Sequence, residues 1–189
     1  ECKKALEETN GDAAAAEDFL RKKLKGKMDT RTDRAAGEGR IAIAVGSDGR
    51  AGSIVEVRAE TDFTAKNEKF IKAAAQVAEL ALQSHAGDVA ATPEMTKIID
   101  ELRISTGENI SIARAHKLVQ DPSSGDFGTY VHHDGKTGVI VQGTGSVSEE
   151  TLRQICMHVT AAVPRPKGVS ASDVPADVVE KERRFRIEQ

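Results

Sequence analysis

One pattern occurs twice in this chain. "DGRAGSIVEV" (residues 48–57) and "DGKTGVIVQG" (residues 134–143) match at Asp48/Asp134, Gly49/Gly135, Gly52/Gly138, Ile54/Ile140 and Val55/Val141. An Asp-Gly pair between runs of alternating apolar residues reads as a tight turn joining two antiparallel strands. Each hairpin is followed by a helical period. The first helix carries Phe70, Ile71, Ala74, Val77, Ala78 and Ala81 on one face. The second, "SEETLRQICMHVTAAV", starts at Ser148 as N-cap and shows the stripe Leu152, Ile155, Cys156, Val159 and Val163. A small sheet has one face to cover, and its own helix can cover it. The expected fold class is therefore α+β, with two similar subdomains of small antiparallel sheet plus helices.

The remaining segments arrange themselves around these units. "CKKALEE" reads as the end of one helix, with Gly11 in a turn and Asp12 capping the helix "AAAAEDFLRKK". "RKKLKGKMDTRTDR" (residues 21–34) holds seven Lys or Arg against two Asp. It is a solvated linker or a contact surface for an acidic partner. "PEMTKIIDELR" is a helix with Pro93 near its start, "STGEN" a turn, and "ISIARAHKLV" a strand leading into the second unit. "VPADVVEKERRFRIEQ" begins a charge-dense helix at Pro175, with no stop signal at Gln189. The start at Glu1 and this open end lead us to expect a piece of a longer protein.

Composition removes several classes of function. A formal net charge of −3 gives no bulk attraction to nucleic acid or anionic membrane. No apolar run approaches the roughly 20 residues of a membrane span. Cys2 and Cys156 are the only cysteines, which is neither a disulfide framework nor a zinc spacing, and fits a reducing compartment. "VHHDG" offers His132, His133 and Asp134, but neighbours on a strand point to opposite faces, so no metal site is expected. No nucleophile motif, P-loop or nicotinamide fingerprint occurs, and neither enzymatic turnover nor a cofactor is expected. Two small sheets could bind RNA, but that needs exposed aromatics on a basic sheet face, and the strands supply only Tyr130.

"AETDFTAKNEKF" (residues 59–70) is harder to place. The chain has five Phe and one Tyr, and it puts Phe63 at the mouth of a helix among Asp62, Lys66, Asn67 and Glu68. Phe63 is either a core residue packed at a helix start or an aromatic presented to a partner from a polar rim. The residues leave both readings open.

A resemblance bears on that choice. "ETDFTAKNEKF" resembles the Thr-Asp-Phe signature of the elongation factor Ts family, the nucleotide-exchange factors of the translational GTPase Tu. "CKKALEETNGD" with "FLRKK" is similar to that family's amino-terminal ubiquitin-associated-like module, here partial. "GENISIARAHKL" resembles the segment after the first core subdomain. "TYVHHDGKTGVIV" and "MHVTAAVPRP" resemble the second subdomain and its exit toward a coiled coil. Departures are the missing Thr-Gly-Ala-Gly-Met-Met helix and carboxy-terminal modules, Thr64 for a common Val, Ala59 for a frequent Cys, and Leu24 for a helix-ending Gly.

The resemblance implies a division of the chain into a partial helical module (1–26), a basic linker (27–38), first and second core subdomains (39–107 and 108–172) and the start of a long helix (173–189). It implies elongation factor Tu as partner, without direct nucleic-acid or membrane contact, in bacterial cytoplasm or an organelle matrix. Thr61, Asp62 and Phe63 would reach the GTPase near its magnesium site, with Gly107, Glu108 and Asn109 close to the same contact. His132 would touch another domain of the GTPase, and Lys22 and Lys23 would assist. Displacing the elements that hold Mg²⁺, an ion with strict octahedral demands, would release GDP. A docking-only fragment or paralogue is the competing expectation.

Overall fold

A computed structural model describes residues 1–29, 32–120 and 124–188. Helices α1 (Cys2–Glu8) and α2 (Ala13–Asp29) are joined by a turn in which Gly11 takes φ +84° and the Asp12 carboxylate accepts from Ala15 N–H. Helix α2 continues through most of the basic stretch and packs against α5 (Pro93–Thr106), so the expected linker begins as helix. Positions 30 and 31 of that stretch lie outside the described residues.

The first repeat forms β1 (Glu38–Val45) and β2 (Ala51–Ala59), paired from Glu38 opposite Ala59 to Val45 opposite Gly52. In its turn, Gly49 sits at φ +68° and Asp48 Oδ1 accepts from Arg50 N–H. The expected strand β4 (Ser111–Val119) precedes the second unit in the chain, but it joins the sheet of the first. It lies antiparallel to β2 and is followed by the two-residue β3 (Gly87–Asp88), giving the sheet order β1-β2-β4-β3. The second repeat makes its own ribbon, β5 (Ser124–Val131) with β6 (Gly138–Thr144).

Burial follows the strand alternation. Ser53, Val55, Val57 and Ala59 face α4 (Glu68–Ala81), whose Phe70, Ala74, Val77, Ala78 and Ala81 are buried against them. Met95, Ile99 and Leu102 of α5 close this core, and Thr92 caps α5 by accepting from Met95 N–H. The opposite face, with Ile41, Ile43 and Ile54, meets the ribbon. A Cβ added at Gly138 would stand 2.5 Å from Ile41 Cγ2, and one added at Gly52 2.5 Å from Ile140 Cδ1. The ribbon's far side packs on α6 (Glu149–Ala161), where Leu152 and Cys156 are buried and Ser148 caps as expected. Ile155 and Val163 of the expected stripe are instead exposed, at 45% and 95%. The layers thus run α4 and α5, four-stranded sheet, two-stranded ribbon, α6. A short 3₁₀ turn (Ala171–Asp173) leads to α7 (Ala176–Ile187), which has no buried residue.

Candidate partner-binding corner

The corner begins where β2 ends. Thr61 takes an extended conformation, φ −123° and ψ 153°, and its hydroxyl accepts from Thr64 N–H at 3.3 Å. This is an N-cap, and it starts the short helix α3 (Asp62–Lys66) immediately after the strand. Asn67 is extended and caps α4 by accepting from Lys69 N–H, so the chain turns twice within eight residues. Ala65 turns inward and is buried, whereas Phe63 turns outward and is 83% exposed. The core reading of Phe63 is therefore excluded. Asp62 lies beside it with Lys66 Nζ at 2.7 Å, and the hydrogen bond from Lys66 holds the Asp62 carboxyl below its ordinary pKa.

A single carboxylate fixes this corner from the far side. Helix α5 ends at Gly107, whose φ of +75° is the left-handed conformation that a residue without Cβ adopts freely. That turn aims Glu108 back at the corner. Its carboxylate accepts from Glu60 N–H and Thr61 N–H, both at 3.1 Å, and from the Thr61 and Thr64 hydroxyls, both at 2.6 Å. Partial burial pushes the Glu108 carboxyl upward, but these hydrogen bonds outweigh it and the net shift is downward. The group is a charged staple across the helix start.

Asn109 extends the brace. It is buried, its N–H donates to Glu60 Oε1 at 2.7 Å, and its side-chain amide donates to the carbonyls of Thr32 (3.0 Å) and Arg34 (2.8 Å). Arg34 pairs with the other oxygen of Glu60 at 3.5 Å. Gly107, Glu108 and Asn109 thus stand next to the Thr-Asp-Phe segment, but the side chains of Glu108 and Asn109 are spent inside the protein. Sequence reasoning missed Glu60, Thr64 and Arg34. The cap pattern Thr61-x-x-Thr64 was the available signal.

His132 is half-buried and follows β5 directly. Because the strand stops at Val131, the alternation expected to separate His132 from His133 does not operate, and their rings lie 4.2 Å apart. Tyr130 Oη is 3.2 Å from His132 Nδ1. The turn closes with Gly135 at φ +72° and with Lys136 N–H donating to Asp134 Oδ1, the bond that chiefly lowers the Asp134 pKa. Lys136 Nζ reaches Glu38 at 2.7 Å, and Ile41 N–H donates to the Gly135 carbonyl at 2.8 Å. Glu38 pairs with Ala59, just before the corner, so the His132 turn and Phe63 lie at the same end of the sheet. Lys22 and Lys23 are exposed on α2. Among the described residues no group of three or more His, Cys, Asp or Glu side chains is arranged to hold a metal ion, and no helix is long and apolar enough to cross a membrane.

The fold and corner define a two-sheet α+β protein that displays an aromatic side chain outward from a hydrogen-bonded corner. A family model described as Elongation factor TS matches residues 60–189. The proteins named elongation factor Ts from Burkholderia multivorans (strain ATCC 17616 / 249) and Burkholderia mallei (strain NCTC 10229) are each 44% identical to it, over 97% of this chain. The same figures hold for that of Burkholderia pseudomallei (strain 668). The chain belongs to the elongation factor Ts family, and it spans 62% of the length of these relatives.

Proposed function

We propose that this chain binds the translational GTPase Tu and promotes release of its GDP, with Asp62 and Phe63 inserted near the partner's magnesium site. The observation that carries this reading is an aromatic ring 83% exposed on a corner that Glu108 holds in place. Phe is costly to leave in water, and a fixed ring in a polar rim has the form of an interface anchor. Mg²⁺ is held by few protein ligands plus phosphate oxygens, so a small displacement of those ligands releases it. No covalent step is involved. Factor and GDP each weaken the other's binding by the same factor, and a cellular excess of GTP sets the direction.

His132 would make the second contact, with Lys22 and Lys23 adding charge. The seat of action would be the cytoplasm or an organelle matrix. The same reading divides the chain into a helical module (1–26), a linker (27–38), two core subdomains (39–107 and 108–172) and an exit helix (173–189), and limited proteolysis tests it. The deciding experiment is release of fluorescent GDP from the GTPase, alone, with this chain and with Phe63→Ala. Acceleration that the variant loses supports exchange through Phe63. Binding without acceleration would leave only a docking protein.

A further inference from the structure

A second feature of the surface has no part in that reading. Where the start of β1, the outer face of β2 and β4, and the β5–β6 turn meet, a pocket of about 220 Å³ opens. Five cationic side chains line it, Arg40, Arg58, Arg114, Lys136 and Arg165, against two carboxylates, Glu38 and Glu56, an excess of three positive charges. In a chain of formal net charge −3 this is a strong local reversal.

The cations are organised in two ways. Arg58 Nε lies 2.7 Å from Glu56 Oε1, and Arg114 Nη2 lies 2.7 Å from Glu56 Oε2, so one carboxylate sets two guanidinium groups side by side. Burial pushes the Glu56 carboxyl upward, but the two arginines more than offset it, and the carboxylate stays charged. Arg40 makes no ion pair among the described residues, and Arg165 Nη2 has only a 3.5 Å contact with Thr137 Oγ1. Both guanidinium groups keep donors to offer. The rim also includes Gly39, whose φ is +150° and whose Cβ, if it had one, would strike the Val57 carbonyl. Gly37 and Gly39 add no side chain to the lining.

We propose that this pocket binds a small phosphate-bearing anion, a diphosphate group being the best match in size and charge. Guanidinium forks match pairs of phosphate oxygens, and a group with several charges can engage guanidiniums from different strands at once. A single protein carboxylate offers one charge to an excess of three. A nucleic-acid strand would want aromatic rings for stacking, and the lining has none. The diphosphate can arrive free or as part of a nucleotide.

The test is a titration of the full chain with inorganic pyrophosphate at constant ionic strength, read by the backbone amide shifts of Gly37 and Gly39. Parallel arms use adenosine diphosphate and sodium chloride. Saturable shifts with pyrophosphate or the nucleotide are expected, and the ratio of the two affinities identifies the source. Arg40→Gln and Arg165→Gln should each weaken binding about 3- to 10-fold, with unchanged melting temperature. Shifts that do not saturate, that chloride reproduces, or that both variants retain would overturn the proposal. So would variants that leave pyrophosphate untouched but weaken binding to the GTPase, since the pocket would then receive a protein carboxylate.

Discussion

Glu108 Oε1 accepts the Thr61 hydroxyl at 2.6 Å across 47 residues of sequence. This contact ties the turn after α5 to the turn after β2, and Phe63 is carried on the tied segment. Residues that a sequence motif groups as contact points here divide their labour. Phe63 faces outward, while Glu108 and Asn109 hold its mount.

Replacing Phe63 by Ala removes little from the fold, because the ring is 83% exposed. Unfolding free energy should move by no more than about 0.5 kcal/mol. If the exchange reading holds, GDP release should slow about 10- to 100-fold, the range given by losing roughly 1.5–3 kcal/mol of ring burial. Chemical denaturation and stopped-flow release read the two quantities separately.

Glu108→Gln puts an amide where one oxygen accepted hydrogen bonds. The amide oxygen can keep the Glu60 and Thr61 N–H groups, but the Thr61 and Thr64 hydroxyls lose their charged acceptor, at a cost of about 1–3 kcal/mol. The loss should appear as a lower unfolding free energy and, if the exchange reading holds, as slower GDP release despite an intact Phe63.

Thr64→Val isolates one bond of the staple. The hydroxyl lies 2.6 Å from Glu108 Oε1, and Val keeps the volume without the donor. Stability should fall by about 0.5–1.5 kcal/mol in urea unfolding.

Acid should loosen the corner. Glu108 and Glu56 both have folded pKa values below the ordinary glutamate value of 4.5. Such groups stabilise the fold above that value, and the contribution is lost as pH falls through the depressed folded values. Thermal melts between neutral pH and acid should therefore be level down to about pH 5 and decline below it. Glu108→Gln should flatten part of that decline.

Gly138→Ala tests the seam between sheet and ribbon. The added Cβ would stand 2.5 Å from Ile41 Cγ2, and overpacking of this kind costs about 1–3 kcal/mol. The double variant with Ile41→Ala should recover part of the loss, a coupling that a double-mutant cycle in urea would read.

Much of the architecture was legible because it is local. The Asp-Gly turns, the Ser148 cap, Pro93 at its helix start and the buried face of α4 depend on residues a few positions apart. The placement of β4 was not, because a strand's partner is set by pairing between distant residues, here β2. Periodicity marked Ile155 as apolar but could not say that it would stay 45% exposed. Composition alone leans toward burying Phe63; only the outward turn of α3 excludes that. The brace through Glu60, Asn109 and Arg34 joins three segments that no spacing rule links.

The β5–β6 turn is bolted to β1 by a backbone hydrogen bond from Ile41 and by the Lys136–Glu38 pair, while glycines on both sides of the ribbon let it seat without play. In mechanical terms the molecule is a caliper with fixed jaws. Phe63 stands on one jaw and His132 on the other, and β1 with its neighbour β2 is the rigid bar between them. If the exchange reading holds, a partner that engages both must match that spacing or deform to reach it.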